Sequence, residues 1–483
     1  MTEPDLDLDL AAVGIGPFNL ALTALADEVP ELRFAAFDRR ERYDWHPGLM
    51  FDWASLQVGF LADLVSLIRP TSRWSFLNYL VEHDRMYPFY IAERFHVPRR
   101  EYADYCAWAA ARLPGCHFGV DVTEVTWDEA AERWVLTLRE VATGTVSTRR
   151  ARHLVLGVGT EPALPEPLRR LAGEASGQRV FHSGEFLHRI DAVAEAGARS
   201  VTVVGSGQSG AEVFLDLLRR QRDAGWALNW LTRSWGFAPL DYSKLVLEYT
   251  TPAYMRYFNA LPPATRDRLI ASQWQLYKGI DTETIDLIHQ ELYDHLLDGD
   301  RPPVTLLPAT AVRGADLADG GTASADGGTA SADGGTASAD GGAIRLTTWH
   351  ADTEREAVLA TDAVIAATGY AARRPDCLAP VEKLIAWDEH GRYDVSEGHR
   401  VATVPEVTGG LFVQNAELHT HGAAAPDLGI GAYRSALILN AVAGRDVFRI
   451  PRSTAFQTFG SPGSPGSPAG PPATPPATPP AGG

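Results

Sequence analysis

Two stretches of the chain share one order of apolar and polar positions. In each, a short apolar run ends at a glycine-rich turn, a segment with helical character follows, and a second apolar run ends at a charged residue. The two stretches span residues 8–38 and 200–233. Because strand, glycine turn, helix and strand in this order are typical of a nucleotide-binding βαβ unit, the pattern predicts an α/β protein with two Rossmann-like dinucleotide-binding domains.

The first glycine turn reads GIGPFN from Gly14 to Asn19. Its first glycine permits a tight turn and its second lets a pyrophosphate approach backbone N–H groups, while Asn19 stands in place of the usual third glycine. Asp38 lies 24 positions beyond Gly14, where a carboxylate accepts from an adenosine ribose 2′-OH. The alternative is an ordinary βαβ turn with a solvated aspartate. The residues expected to bind the first dinucleotide are Gly14, Gly16, Pro17, Asn19 and Asp38.

The second turn reads GSGQSG and is a complete fingerprint. The strand after it ends at Arg233, and a guanidinium suits a ribose 2′-phosphate, whereas a carboxylate suits a free 2′-OH. The alternative for Arg233 is a surface residue in a salt bridge. An acid in the first unit and an arginine in the second indicate FAD followed by NADPH. The residues expected to bind NADPH are Gly205, Gly207, Gln208, Gly210 and Arg233.

Two further strand-like runs, 152–158 and 362–366, end at glycines. Their ends resemble the points where two-nucleotide flavoproteins cross between domains, which also makes Thr368 and Gly369 candidate cofactor contacts. The predicted divisions are an FAD-binding domain of residues 7–165 and 361–450, an NADPH-binding domain of 170–235 and 303–360, a smaller and mostly helical substrate region of 236–302, a flexible repeat loop of 319–342, and a disordered proline-rich tail of 459–483.

Composition narrows the possible functions. The formal charge of −18 leaves no basic stripe for a nucleic acid. No run of 18 apolar residues predicts a membrane span, and the N-terminus lacks the features of a signal peptide. Three cysteines form no disulfide framework, redox pair or zinc quartet, so we expect a cytoplasmic protein. Within 319–342 the heptamer DGGTASA repeats with one carboxylate per copy, which predicts a flexible loop in preference to a calcium-binding repeat.

Several further motifs accompany the two turns. They are WHPG at Trp45–Gly48, SFLNYL at Ser75–Leu80, VVGSGQSGAE at Val203–Glu212, ATGY at Ala367–Tyr370, and Asn415 followed by HTHG at His419–Gly422. With GIGPFN, they give the chain from residue 7 to 448 a resemblance to the flavin-dependent N-hydroxylating monooxygenases. This family comprises the lysine, ornithine and diamine N-hydroxylases of hydroxamate siderophore synthesis.

The resemblance implies a reaction and roles for particular residues. NADPH would reduce FAD, O₂ would form a C4a-hydroperoxyflavin, and its distal oxygen would pass to a neutral primary amine. By resemblance, Gln57 would lie near the flavin and the amine, Trp45 and His46 would lie beside the flavin ring, and the loop that carries His421 would close over the flavin. Each is also a plausible core residue. His419 and His421 lack a third ligand, so no metal site is expected. A homo-oligomer, dimer or tetramer, is expected.

Substrate choice is where the sequence departs from part of the family. Members that act on lysine or ornithine commonly read FLKDL, with the lysine holding the substrate carboxylate, whereas this chain has Ala62 there. It also has Gly429 where those members tend to have serine. The resemblance therefore favours a diamine, cadaverine or putrescine, over L-lysine, with Asp281 a candidate partner for the second cation. A sulfur- or ketone-oxidising flavin monooxygenase is the nearest rival, since residues 181–188 almost match FxGxxxH.

Overall fold

The computed structural model describes residues 7–173, 178–297, 303–318 and 343–461. The predicted repeat loop and the tail beyond Ser461 lie outside these residues. In chain order the strands are β1 (Leu8–Val13), β2 (Phe34–Asp38), β3 (Ser55–Gly59), β4 (His96–Pro98), β5 (Cys116–Phe118), β6 (Val120–Asp128), β7 (Arg133–Glu140), β8 (Val146–Leu156), β9 (Thr160–Pro162), β10 (Val180–His182), β11 (Ser200–Val204), β12 (Ala227–Leu231), β13 (Val304–Leu307), β14 (Thr310–Leu317), β15 (Ile344–His350), β16 (Arg355–Thr361), β17 (Ala363–Ala366), β18 (Tyr370–Ala372), β19 (Arg400–Val401) and β20 (Leu411–Val413).

Helices cover both sheets and form a separate group between them. In chain order they are α1 (Pro17–Ala26), α2 (Phe76–Glu82), α3 (Met86–Ala92), α4 (Arg99–Ala110), α5 (Glu166–Ala172), α6 (Phe186–Glu195), α7 (Gln208–Ala224), α8 (Lys244–Leu247), α9 (Pro252–Asn259), α10 (Pro263–Ser272), α11 (Thr282–Leu297), α12 (Leu418–His421) and α13 (Gly431–Ala443). Among the described helices, none is long and apolar enough to cross a membrane.

The first unit is built on a sheet in the order β19-β20-β8-β1-β2-β5, to which β6 and β7 add an antiparallel extension. Strand β1 runs parallel to both neighbours, with Ala12 beside Ala36 and Val155. Its alanines and valine are buried on both faces, as expected for a central parallel strand. Helix α1 follows the first glycine turn and packs against α13. This arrangement brings the N-terminus of α1 to the carboxyl edge of the sheet.

The second unit has an all-parallel sheet in the order β10-β17-β11-β12-β13, and β14, β15 and β16 form a separate antiparallel sheet. Strand β17 lies between β10 and β11, and all four of its residues are buried. The predicted return to the first unit at residue 361 is therefore too early, because β17 completes the second sheet and the chain leaves it after Ala366. The short strands β9 and β18 pair antiparallel beyond the two glycine ends, Pro162 beside Tyr370.

Helices α8 to α11 occupy the predicted substrate region, and α11 packs against α7 of the second unit. The chain returns to these helices at its described end. Phe459, which we assigned to the disordered tail, is 8% exposed and packs with Tyr254 and Phe258. Residues 459–461 therefore depart from the predicted disordered tail, and the rest of that segment lies outside the described residues. The composition of the tail hid this contact, since one aromatic ring among prolines and glycines gives no periodic signal.

Candidate active site

A cavity of about 2120 Å³ lies between the two units and the helical region. Many of the expected site residues border it: Gly14, Gly16, Pro17, Asn19, Asp38, Trp45, His46, Gln57, Ala62, Gln208, Gly369 and Gly429. The other expected residues lie away from its walls: Gly205, Gly207, Gly210, Arg233, Asp281, Thr368 and His421. Twelve of the nineteen expected site residues thus border the cavity, and of the second glycine turn only Gln208 and Ser209 reach it.

The first glycine turn has the geometry of a phosphate cradle. Gly14 has φ +86°, and a Cβ there would collide with the carbonyl of Gly157. Both the backbone conformation and the lack of space therefore require glycine at this position. A Cβ on Gly16 would meet nothing within 4 Å, which leaves open space at the N-terminus of α1. Backbone N–H groups at a helix N-terminus attract anions, so this space fits a pyrophosphate.

Asn19 braces this turn from within. Its amide nitrogen donates to the carbonyl oxygens of Val13 at 3.1 Å and Gly14 at 2.8 Å, and its oxygen accepts from Gln414 at 2.6 Å. A third glycine would lack all three bonds, which explains the departure from the usual fingerprint. The carboxamide oxygen of Gln414 is buried without a hydrogen-bond partner and its residue borders the cavity, so it leaves an acceptor for a bound group.

The Asp38 carboxylate lies at the end of β2, as expected. It accepts from the Ile15 N–H at 2.8 Å and from the Arg40 guanidinium at 2.7 Å. Burial acts to raise the pKa of Asp38, but the Arg40 hydrogen bond and charge hold it below its ordinary value. Arg40 also donates to the carbonyl of Ile15 at 2.9 Å. This pair fixes the turn, and a ribose contact with Asp38 remains a prediction.

At the cavity wall, Gln57 supplies an amide without a hydrogen-bond partner and His46 supplies a neutral ring. The Gln57 amide nitrogen is buried without a hydrogen-bond partner, so a donor is available to a bound molecule. Burial, together with Arg99 and Arg40, lowers the pKa of His46 to about 4, which keeps its ring neutral at pH 7. The Trp45 and His46 rings are 5.2 Å apart. All three expected residues therefore border the same cavity.

A buried polar network joins the two units beside this wall. Arg99 donates to both oxygens of Glu212, at 2.9 and 2.5 Å. The Gln208 amide donates to Glu212 at 2.9 Å and to Thr284 at 3.0 Å, and its oxygen accepts from the Asp281 N–H at 2.8 Å. Because these three hydrogen bonds occupy the Gln208 carboxamide, its main effect is to hold α7 against the helical region at the edge of the cavity.

The second glycine turn faces the end of β12. Gly205 has φ +119°, and a Cβ there would collide with the Ala367 carbonyl, which accounts for this glycine. Arg233 is exposed where β12 ends. Lys278 lies near it, since burial first and the Arg233 charge second lower the pKa of Lys278. Two neighbouring cations at this position fit the 2′-phosphate of NADPH.

Two expected cofactor contacts are internal to the protein. His421 is fully buried and its ring stacks on His399 at a centroid distance of 4.2 Å. Its neighbour His419 borders the cavity instead, which corrects the expectation for His421. The hydroxyl of Thr368 donates to the Ala163 carbonyl at 2.6 Å and steadies the crossing. Among the described residues, no group of three or more His, Cys, Asp or Glu side chains is placed to hold a metal ion.

The far end of the cavity combines small residues with a carboxylate. A Cβ on Gly429 would lie 3.9 Å from the Cβ of Ala62 and 2.9 Å from Oδ1 of Asp427. The same oxygen accepts from the Gly429 N–H at 2.6 Å. Burial raises the pKa of Asp427 to about 6, opposed by this bond and by Arg434. Asp427 is therefore the acid that borders the Ala62 wall.

Asp281 does not have the position expected for that acid. Its side chain lies off the cavity, and its backbone serves Gln208. Tyr242, which borders the cavity, is close enough to feel the charge of Asp281. Burial raises the pKa of Tyr242, and the charges of Asp281 and Asp427 raise it further. Asp281 therefore does not border the cavity, whereas Asp427 and Tyr242 do.

Comparisons with known proteins agree with this geometry. Residues 7–327 match the model of the L-lysine 6-monooxygenase/L-ornithine 5-monooxygenase family. The chain is 39% identical over 470 residues to the rhizobactin siderophore biosynthesis protein RhbE of Rhizobium meliloti, covering 96% of this chain and 97% of RhbE. The chain belongs to this family. It is also 37% identical to the putrescine N-hydroxylase of Shewanella oneidensis, over 95% of this chain and 86% of that protein.

A solved structure extends the likeness to three dimensions. DfoA of Erwinia amylovora, a cadaverine monooxygenase of the desferrioxamine pathway determined with FAD bound, superposes with a TM-score of 0.85. The two sequences are 36% identical over 94% of this chain and 99% of DfoA. The predicted family and two-unit fold are therefore confirmed.

Sequence reasoning missed four residues of this site: Arg99, Glu212, Tyr242 and Asp427. Glu212 carried the strongest available signal, because it is a charged residue on the otherwise apolar face of a helix that follows a nucleotide turn. No local pattern identified Asp427, because its position near Ala62 depends on two segments that are far apart in the sequence.

Proposed function

We propose that this chain is an NADPH- and O₂-dependent monooxygenase that uses FAD to N-hydroxylate a diamine, cadaverine or putrescine, in hydroxamate siderophore biosynthesis. The observation that carries the choice of substrate is the far end of the cavity, where the Asp427 carboxylate borders a wall made of Ala62 and Gly429. A diamine offers a second ammonium to that carboxylate. The names of the Shewanella and Erwinia relatives support the same choice.

The glycine turns divide the two nucleotides between the units. The open space at Gly16 and the N-terminus of α1 would hold the pyrophosphate of FAD, and the buried amide nitrogen of Gln57 would donate to the flavin or to the substrate amine. Arg233 and Lys278 would pair with the 2′-phosphate of NADPH. The bound flavin, once reduced by NADPH, supplies the oxygen chemistry.

The residues of the chain have to present a neutral amine. An alkylammonium titrates near 10.4 in water and has no lone pair, so the pocket must favour its deprotonated form. His46 stays neutral because its pKa is about 4, so it adds no positive charge at this wall. Asp427 binds the distal ammonium instead. One end of the diamine thus meets a neutral wall and the other a carboxylate, and this difference orients it.

The test is a panel of amines scored by hydroxylamine formed. Cadaverine and putrescine should give product with the highest kcat/KM, and L-lysine and L-ornithine should give little, because Asp427 repels their carboxylates. NADPH loss alone is unsuitable, since reduced flavin that leaks peroxide also consumes NADPH. A preference for L-lysine over both diamines would overturn the substrate. The absence of hydroxylamine from every amine would overturn the reaction.

Self-association and a cytoplasmic location are parts of the same proposal. Helix α3 buries none of its residues, and Tyr87, Tyr90 and Ile91 are 74–80% exposed, which is unusual for side chains of this size. We expect this face to pair with a second copy of the chain. All three cysteines are free thiols, as in a reducing compartment. Light scattering on wild type and on Tyr90→Glu tests the first point, and cell fractionation tests the second.

A further inference from the structure

The last described segment of the chain is bonded to the helical region through one carboxylate. Glu248, directly after α8, accepts from the backbone N–H groups of Phe456 and Gln457, each at 2.9 Å. The Gln457 side-chain amide donates to the Leu245 carbonyl at 2.5 Å and to Glu248 at 3.1 Å. Four hydrogen bonds therefore converge on a single turn of helix.

The segment is also held at both of its ends. The Thr454 hydroxyl accepts from the Ala253 N–H at 3.0 Å, which satisfies a free donor in the first turn of α9. Phe459 is 8% exposed, and its ring centroid lies 5.2 Å from Tyr249 and 5.0 Å from Tyr254. Phe456, between these two ends, is 98% exposed. Residues 454–459 thus form a strap that is anchored at its ends and at Glu248.

The elements under the strap form one wall of the cavity. Lys244, Val246, Leu247 and Thr250 border it, whereas Glu248 does not. Helix α8 has only four residues and buries none of them, so its own hydrogen bonds cannot fix its position. Helix α9 packs on its other side against the segment that carries Asp427, with Met255 against Ile430.

We infer that the strap of residues 454–459 positions the cavity wall at which the amine binds, with Glu248 as its anchor. This inference rests on the proposed function, because it takes this wall as part of the amine site. Glu248 is a positioning residue that acts through α8 and α9. Loss of the strap should weaken amine binding and let reduced flavin react without forming hydroxylamine. It should leave flavin reduction by NADPH unchanged, since Gln57 and Arg233 lie on other elements.

The experiment uses the full-length, FAD-loaded protein and four substitutions. Phe459→Ala and Glu248→Ala each remove one of the three anchors, and Glu248→Gln retains one carbonyl acceptor. Phe456→Ala is the matched control, because its exposed ring makes no anchor and its backbone N–H remains. Four quantities are measured: amide hydrogen exchange in residues 244–259, the KM for cadaverine, hydroxylamine formed per NADPH, and the rate of anaerobic flavin reduction by NADPH.

We expect Phe459→Ala and Glu248→Ala to accelerate exchange in residues 244–259 and to raise the KM for cadaverine about tenfold, with less hydroxylamine per NADPH. Glu248→Gln should fall between these variants and wild type, and Phe456→Ala should match wild type. Wild-type exchange in both anchor variants would overturn the inference. Faster exchange with unchanged KM and coupling, or an equal loss of flavin reduction, would overturn it as well.

The wild-type control separates this inference from the function on which it rests. If wild type forms no hydroxylamine from any amine, the proposed function fails, and the role of the strap in amine binding fails with it. If wild type hydroxylates cadaverine and the anchor variants do so equally well, only the strap is overturned.

Discussion

Arg99 and Glu212 form a buried, two-point ion pair between the first and the second unit. Their oxygens and nitrogens meet at 2.5 and 2.9 Å, across 113 positions of sequence. The pair sits at the N-termini of α4 and α7, next to the wall that carries His46. It therefore fixes the distance between the flavin-side wall and the second nucleotide turn.

Breaking this pair should cost stability and turnover together. Glu212→Ala leaves the buried Arg99 guanidinium uncompensated, which typically costs about 3–5 kcal/mol of unfolding free energy. The matched control is Glu185→Ala, which removes a half-exposed side chain from its pair with Arg189 one turn away and should cost less than about 1 kcal/mol. Urea unfolding measures both values. Equal effects of the two substitutions would show that the pair does not join the units.

Arg233→Ala should raise the KM for NADPH far more than the KM for the amine. Loss of a charge-assisted contact to a 2′-phosphate costs roughly 1.5–3 kcal/mol, which is about ten- to a hundredfold. Lys278→Ala should act in the same direction. Arg268→Ala, on the exposed side of α10, is the control. The assignment fails if Arg233→Ala weakens NADH and NADPH use equally, since NADH has no 2′-phosphate.

Ala62→Lys should shift preference from diamines toward L-lysine and L-ornithine. The new ammonium lies beside Asp427, attracts a carboxylate and repels a second cation. At an effective dielectric constant of ~20, unit charges ~4 Å apart interact by about 4 kcal/mol. Desolvation and ordering reduce this to roughly 1–3 kcal/mol, still a visible change in kcat/KM. Hydroxylamine yield with each amine is the measurement, and Ala62→Met controls for bulk. An unchanged preference would remove Ala62 from the specificity argument.

Diamine use should fall as the pH drops through the pKa of Asp427. In the free enzyme that pKa is about 6, whereas the distal amine stays protonated well above this value. Only ionised Asp427 attracts the ammonium, so below pH 6 kcat/KM for cadaverine should lose a further factor of about ten per pH unit, beyond the decrease caused by protonation of the reacting amine. Asp427→Asn should abolish this inflection and lower kcat/KM at pH 8. A wild-type profile that Asp427→Asn reproduces would exclude Asp427 as the ammonium partner.

Removal of the repeats or of the terminal tail should leave turnover within about threefold of wild type, because such sequences contribute little core burial. Strands β14 and β15 pair directly beside the repeats, so deletion of residues 319–339 still leaves a connection between them. The tail should be truncated after Ser461, since truncation after Thr458 would also remove the buried Phe459. A larger loss in well-folded protein would assign the deleted segment a function.

The sequence by itself determined the two nucleotide units and their glycine turns. The reason is that a tight turn, a positive φ at Gly14 or Gly205 and the alternation of strand and helix are local properties, set within a few residues. Motif resemblance added the family, and together with these local properties it located twelve of the residues that border the cavity. None of these signals requires knowledge of which distant segments meet.

Only the tertiary structure decided the remaining features. Strand β17 joins the second sheet, His421 turns into the core, Phe459 returns to α9, and Asp427 lies with Gly429 near Ala62. Each of these depends on segments that are far apart in the sequence and meet because the chain crosses twice between its units. Burial and electrostatics act through space, so the charge that a substrate encounters is set by that crossing and not by neighbours along the chain.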